Sequence, residues 1–167
     1  MEIISAAGFL DYYGRLRVRT HKVIRIIPRD KLEWSYMPGK FSIGDQVRHI
    51  AAIERYMFAE TIAGRKSTYH GCGKELASGY DDTVSYFNEL HRQSLEIFSA
   101  LREEDLRRKC ITPAGSEITV WKWLRAMTEH EIHHRAQLYL YLNMLGVITP
   151  PIFGLTAEEV EQKSREI

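Results

Sequence analysis

TVWKWLRAMTEHEIHHRAQLYLYLNMLG, residues 119–146, reads as a single long helix. Thr119 is a suitable N-cap, Gly146 a suitable stop, and Pro150 and Pro151 follow just beyond. Val120, Trp123, Met127, His130, His134, Gln137, Tyr141 and Leu145 recur at steps of three and four, the period of a face turned toward other helices. His130 and His134 lie one turn apart on that stripe, so their imidazoles project the same way. Neutral imidazole ligates divalent transition metals, and an i, i+4 pair offers one ion two nitrogens. A lone inward histidine is more often a hydrogen-bonded core residue than a ligand. A third histidine on another helix would tip the reading toward a metal.

Working outward, the preceding segments supply that third histidine. Residues 5–27 predict a first helix with Phe9, Tyr12, Tyr13, Leu16, Val23, Ile24 and Ile27 at helical spacing, ended by Pro28. Its cations, Arg15, Arg17, Arg19, Lys22 and Arg25, are scattered between apolar positions and read as a solvated face, not a nucleic-acid patch. The linker 29–41 carries Trp34, Tyr36 and Met37, an aromatic content expected to pack over one end of a bundle. Ser42 and Asp45 form a capping-box pattern for a second helix that runs to Ala63 and stops at Gly64. One stripe of it is Ile43, Val47, Ile50, Met57; the neighbouring one is Gln46, His49, Ile53, Tyr56. His49 thus borders the buried face.

Residues 65–80 predict a loop, and its His70-Gly-Cys72 reads as mobile surface rather than a ligand pair. Asp81 or Asp82 caps a third helix, Thr83 to Arg102, with His91 partly exposed beside its apolar face. Residues 107–118 predict a short β-hairpin before the last long helix, and Thr156 with Glu159 caps a short terminal one. Four long amphipathic segments describe an all-α, up-and-down four-helix bundle, expected to form one domain over residues 1–167. Bundles build metal sites from side chains on facing helices, which suits His49, His130 and His134.

Composition narrows the function classes. A net charge of +1 gives no overall field for nucleic acid or acidic lipid. No apolar run approaches the ~20 residues needed to span a bilayer, and the N-terminus lacks the basic opening of a signal peptide. Cys72 and Cys110 have no ligand spacing and are expected to be free thiols in a cytoplasmic protein.

His130-Glu131-Ile132-His133-His134 also satisfies H-E-x-x-H, the zinc-protease motif in which the glutamate is general base. Such proteases take a third ligand downstream and hold their peptide on a sheet edge. Here the downstream acids, led by Glu158 and Glu159, lie in a terminal appendage, and strand-like segments are few.

Trp34 and Pro38, then SIGDQVRHI (residues 42–50), HEIHHRAQL (residues 130–138) and the closing Leu145-Gly146 resemble the DinB/YfiT-like superfamily, the DNA-damage-inducible bundle proteins. The tail GLTAEEV (residues 154–160) is similar as well, so the resemblance covers nearly the whole chain. It implies a four-helix bundle that binds a divalent metal, zinc or nickel, through three histidines, matched here by His49, His130 and His134. His133, about 100° around the helix from His134, goes to structure or to support of a ligand. The resemblance further implies a transferase joining a low-molecular-weight thiol, such as bacillithiol or mycothiol, to an electrophile. Other members are related to metal-dependent hydrolases or isomerases, and a non-catalytic metal-binding stress protein is the reading from another class. A small-molecule substrate and a homodimer are expected; nucleic acid and membrane are not. Glu131 and Arg135 turn off the ligand face and receive no catalytic role; Tyr56, Gln137 and Tyr141 are expected to line the pocket.

Overall fold

Capping chemistry sets where the helices begin. In the computed structural model, which describes residues 2–166, Ser5 Oγ accepts the Gly8 N–H and opens α1 (Ala6–Ile24). Ser42 and Asp45 close a reciprocal box at 3.0 and 2.9 Å at the start of α2 (Ile43–Ile53). α3 (Tyr80–Ser99) instead begins after Gly79, at φ 79° and with no side-chain cap. Asp81 and Asp82 fall inside its first turn, where their charge suits the helix dipole. The short α4 (Glu103–Arg107) leads to the expected hairpin, β1 (Lys109–Ile111) and β2 (Glu117–Thr119), antiparallel with Cys110 opposite Ile118. Then come α5 (Val120–Met144) and, behind the Thr156–Glu159 capping box, α6 (Ala157–Arg165), which buries nothing.

α1, α2, α3 and α5 form the four-helix bundle, and side-chain pairs fix its course. Phe9 faces Phe98 and His21 faces Phe87, so α1 and α3 are antiparallel. Arg48 bonds Thr83 and Glu54 bonds His91, so α2 and α3 run parallel. Gln46 meets His134 while Thr61 meets Trp123, so α2 and α5 are antiparallel. Alternation is therefore broken once, between α2 and α3. The connection 63–79 allows this, because a chain of that length can reach up to ~55 Å, more than enough to retrace a helix of roughly 30 Å. The aromatic linker packs over the bundle end as expected, with Trp34 and Tyr36 edge-on to Tyr141 at 5.7 and 5.6 Å.

α2 continues through a π-helical stretch, Glu54–Ala59, and a last turn, Glu60–Ile62, before Gly64 (φ 79°) ends it. The wider turn slips the apolar stripe by one residue. Periodicity put Met57 in line with Ile43, Val47 and Ile50; the structure buries Phe58 and Ile62 instead and leaves Met57 partly exposed.

A polar layer separates two apolar clusters, one around Val47, Phe87 and Leu142, the other around Phe9, Phe58 and Leu124. Arg17, read from sequence as part of a solvated face, is only 3% exposed and pairs with Glu54 and Glu131. Its charge answers two acids that the bundle has removed from water, and its guanidinium stacks on the Phe87 ring at 4.3 Å. Burial alone would push the Glu54 carboxyl up; Arg17 and His91 outweigh it and hold Glu54 below the usual carboxylate range.

Candidate metal centre

His49 sits in the second turn of α2, and His130 and His134 face it from the middle of α5. The antiparallel packing of these helices brings one potential ligand atom of each to within 4.8 Å of the other two. His49 Nε2 lies 3.1 Å from His130 Nε2, and the His49 and His134 rings are 4.6 Å apart. Among the described residues this is the one group of three or more His, Cys, Asp or Glu side chains so gathered.

Burial keeps these imidazoles neutral. It depresses His49 to about 4 and His134 to about 4, while His130, with neighbouring imidazoles adding to the effect, falls to about 3. A neutral imidazole offers a lone pair at neutral pH with no proton to expel.

Two side chains orient the rings. Gln46, 2% exposed, places Oε1 on His134 Nδ1; an amide oxygen only accepts, so Nδ1 carries the proton and Nε2 the lone pair. Tyr69 places its hydroxyl 2.8 Å from His49 Nδ1. A phenol can donate or accept, so His49 is held in place without being restricted to one tautomer. Phe41 packs on the His49 ring at 5.2 Å and Phe58 lies 6.1 Å from that of His130, giving the cluster aromatic flanks.

Tyr69 comes from the connection 63–79, which is anchored to the bundle at Cys72 and Ala77. Arg48, 0% exposed, donates from Nε to the Cys72 carbonyl at 2.9 Å and from Nη1 to the Ala77 carbonyl at 3.0 Å. The same guanidinium holds Glu33 and Asp45. Cys72 is buried with its thiol free, as is Cys110, while His70 stays exposed against Tyr56. An aromatic next to His-Gly-Cys was visible in the sequence, but no periodicity in a loop says where it returns.

The remaining expected residues divide. Glu131 is 1% exposed and faces the bundle core, accepting from Tyr13 and Thr20 at 3.0 and 2.5 Å and pairing with Arg17. It is committed there, and the base of an H-E-x-x-H protease is missing from the histidine face. Arg135 is likewise buried, on the Leu16 carbonyl. His133 is exposed and meets Gln137 at 3.0 Å, and the Gln137 Oε1 is buried without a partner. Tyr141 lies beneath Trp34 and Tyr36, and Tyr56 leans on the 63–79 connection rather than on the histidines.

Known proteins place this arrangement in context. A family model described as the DinB superfamily matches residues 12–138. The uncharacterized protein YjoA of Bacillus subtilis is 27% identical over 139 residues, covering 80% of this chain and 86% of YjoA. Its crystal structure, described as DinB-like, superposes with a TM-score of 0.70 at 23% identity, covering 87% of this chain and 96% of that one. Bacillus subtilis YfiT, described as a probable metal-dependent hydrolase with an unusual four-helix bundle topology, gives 0.65 at 16% identity, covering 89% and 93%. A mycothiol-dependent maleylpyruvate isomerase gives 0.53 at 15% identity, covering 89% of this chain and 65% of its own. At these identities the solved structures speak for the fold.

Proposed function

The chain belongs to the DinB superfamily, and from that premise we propose that His49, His130 and His134 hold a divalent ion, zinc or nickel, in a transferase that joins a low-molecular-weight thiol to an electrophile. The donor set suits such an ion: three neutral imidazoles, His134 buried and His49 and His130 half-buried, leave its charge uncancelled, the pattern of catalytic rather than structural sites. When bound, the ion supplies a Lewis acid that stabilises a thiolate at neutral pH.

The observation that carries the choice of a thiol over water is the absence of a carboxylate from the described residues of the cluster. Hydrolysis calls for a group that takes and returns protons, and Glu131 is tied to Arg17, Tyr13 and Thr20. A thiol, once ionised, attacks without a general base. Gln46 keeps the His134 lone pair on Nε2, Tyr69 steadies His49, and Phe41 shields one side of that ring from water. The mycothiol dependence of the isomerase is in keeping with this reading. YfiT's description favours a hydrolase.

Elemental mass spectrometry tests the ligands first. We expect about one ion per chain in the wild type and in Glu158→Ala/Glu159→Ala, and none in His49→Ala. The loaded protein is then given bacillithiol or mycothiol with an aryl halide or an epoxide. Thiol consumption that needs His49 supports the transferase. Ester hydrolysis without thiol supports the hydrolase, and no consumption of either thiol defeats the leading reading.

A further inference from the structure

A second candidate site lies at the hairpin end of the bundle. Thr61, in its floor, follows His49 by twelve residues, ~18 Å along the helix axis, so this site is separate from the histidines. The end of α2 and residues 64–67 form one wall; residues 108–115 of the hairpin form the other. The cleft between them measures about 580 Å³, within the range of small-molecule sites.

Its charge is one-sided. Arg65, Lys66, Arg108 and Lys109 line it and no acid does, in a chain whose net charge is only +1. Part of this charge is engaged: Arg65 pairs with Glu60, and Arg108 donates to the Ile62 carbonyl at 2.8 Å and lies 3.7 Å from Asp105. Lys66 and Lys109 have no ion pair among the described residues, and both are exposed. Like charges gathered in one cleft repel one another and gain most from a multiply charged anion placed among them. Ile111 and Pro113 add an apolar edge to the hairpin wall, which free inorganic ions would not use.

We propose that this cleft binds a phosphorylated small molecule, with its phosphate between Lys66 and Lys109 and its apolar body against Ile111 and Pro113. A phosphate dianion answers two unpaired ammonium groups, where a carboxylate answers one. A nucleic acid would need positive charge continued beyond one cleft, and the balance of +1 does not supply an extended field.

The test is calorimetric titration of the full chain with phenyl phosphate, beside inorganic phosphate and phenol. Saturable one-to-one binding of phenyl phosphate, tighter than of either fragment, is expected. Lys66→Gln/Lys109→Gln is expected to weaken it about tenfold or more, through loss of two charge-assisted contacts. His49→Ala and the control Lys163→Gln in α6 are expected to leave it unchanged. Both lysines are solvent-exposed, so the double variant is expected to fold, which circular dichroism checks. The proposal is overturned by no saturation at about 10 mM, by phenyl phosphate binding no tighter than inorganic phosphate, or by equal loss in Lys163→Gln. Loss in His49→Ala would place the phosphate at the histidines and overturn it as well. So would a single-stranded oligothymidylate that binds more tightly and depends on the same lysines, since the surface would then be a nucleic-acid face.

Discussion

The hydroxyl of Tyr69 lies 2.8 Å from Nδ1 of His49, and it reaches that position from a loop, not from a bundle helix. A ligand imidazole held from its far nitrogen loses less orientation on binding an ion, and such supports are commonly worth 10–100-fold in affinity. Tyr69→Phe keeps the ring and removes the contact. We expect zinc affinity, measured by competition with a chelator, to fall about tenfold while the thermal midpoint hardly moves. Unchanged affinity would mean that the hydroxyl only fills space.

Gln46 acts differently, because its oxygen can only accept. His134 should therefore be the Nδ1–H tautomer before any metal is added, and ¹⁵N chemical shifts of the histidine rings report that directly. In Gln46→Leu the His134 Nδ1 loses its acceptor, so the tautomers should mix and metal affinity should fall by an order of magnitude or more. A pure Nε2–H tautomer in the wild type would show the amide to be reversed and the argument to be mistaken.

Periodicity reads out the four bundle helices, sets His130 and His134 on one face and puts His49 at the border of another, because helical spacing turns sequence positions directly into faces. It does not see a buried ion-pair partner, a change of helical pitch or the path of a loop. Arg17 looks in sequence like Arg15 and Arg19, neither of them buried, until Glu54 and Glu131 are known to converge on it. The π-helical turn at Glu54–Ala59 leaves no mark in a stripe read at 3.6 residues per turn, which selects Met57 where the structure buries Phe58. The 63–79 connection that runs back beside parallel α2 and α3 and carries Tyr69 to His49 is tied down by Arg48 at the carbonyls of Cys72 and Ala77. Loop residues carry no period from which that could be read.

Arg48 should thus govern both stability and the order of the 63–79 connection. Arg48→Met strips a buried cation from its acids and leaves the two carbonyls without their donor. A loss of about 3 kcal/mol or more is expected from urea unfolding. Under native conditions Cys72 should then react quickly with an aromatic disulfide reagent while Cys110 stays slow. Equal rates for both thiols would indicate global opening rather than release of this segment.

The same cluster sets an acid limit. Hydrogen bonds from Arg48 hold the Glu33 carboxyl below its ordinary value of 4.5. For Asp45 burial pulls upward, but the Ser42 N–H and Arg48 prevail and hold it below its ordinary 3.8. Depressed folded values mean stabilisation that is complete above the unfolded pKa and lost as pH falls through the folded one. The stability gap between wild type and Glu33→Gln should be widest at neutral pH, shrink below about pH 4.5 and close in stronger acid. A gap independent of pH would show that the Glu33 charge is not what Arg48 uses.

Glu131 gives the sharpest division between the two readings of HEIHH. It stands next to His130 in the chain, yet its oxygens serve Tyr13, Thr20 and Arg17 on the far side of α5. Glu131→Gln should therefore keep its metal, with affinity within about threefold of wild type, and lose about 3 kcal/mol of stability as Arg17 gives up one of its two acids. In a metalloprotease the same change removes the general base, abolishing peptide hydrolysis at little cost to the fold. A stable, metal-loaded Glu131→Gln that has lost a measurable peptidase activity of the wild type would restore the protease and remove the structural role argued for this residue.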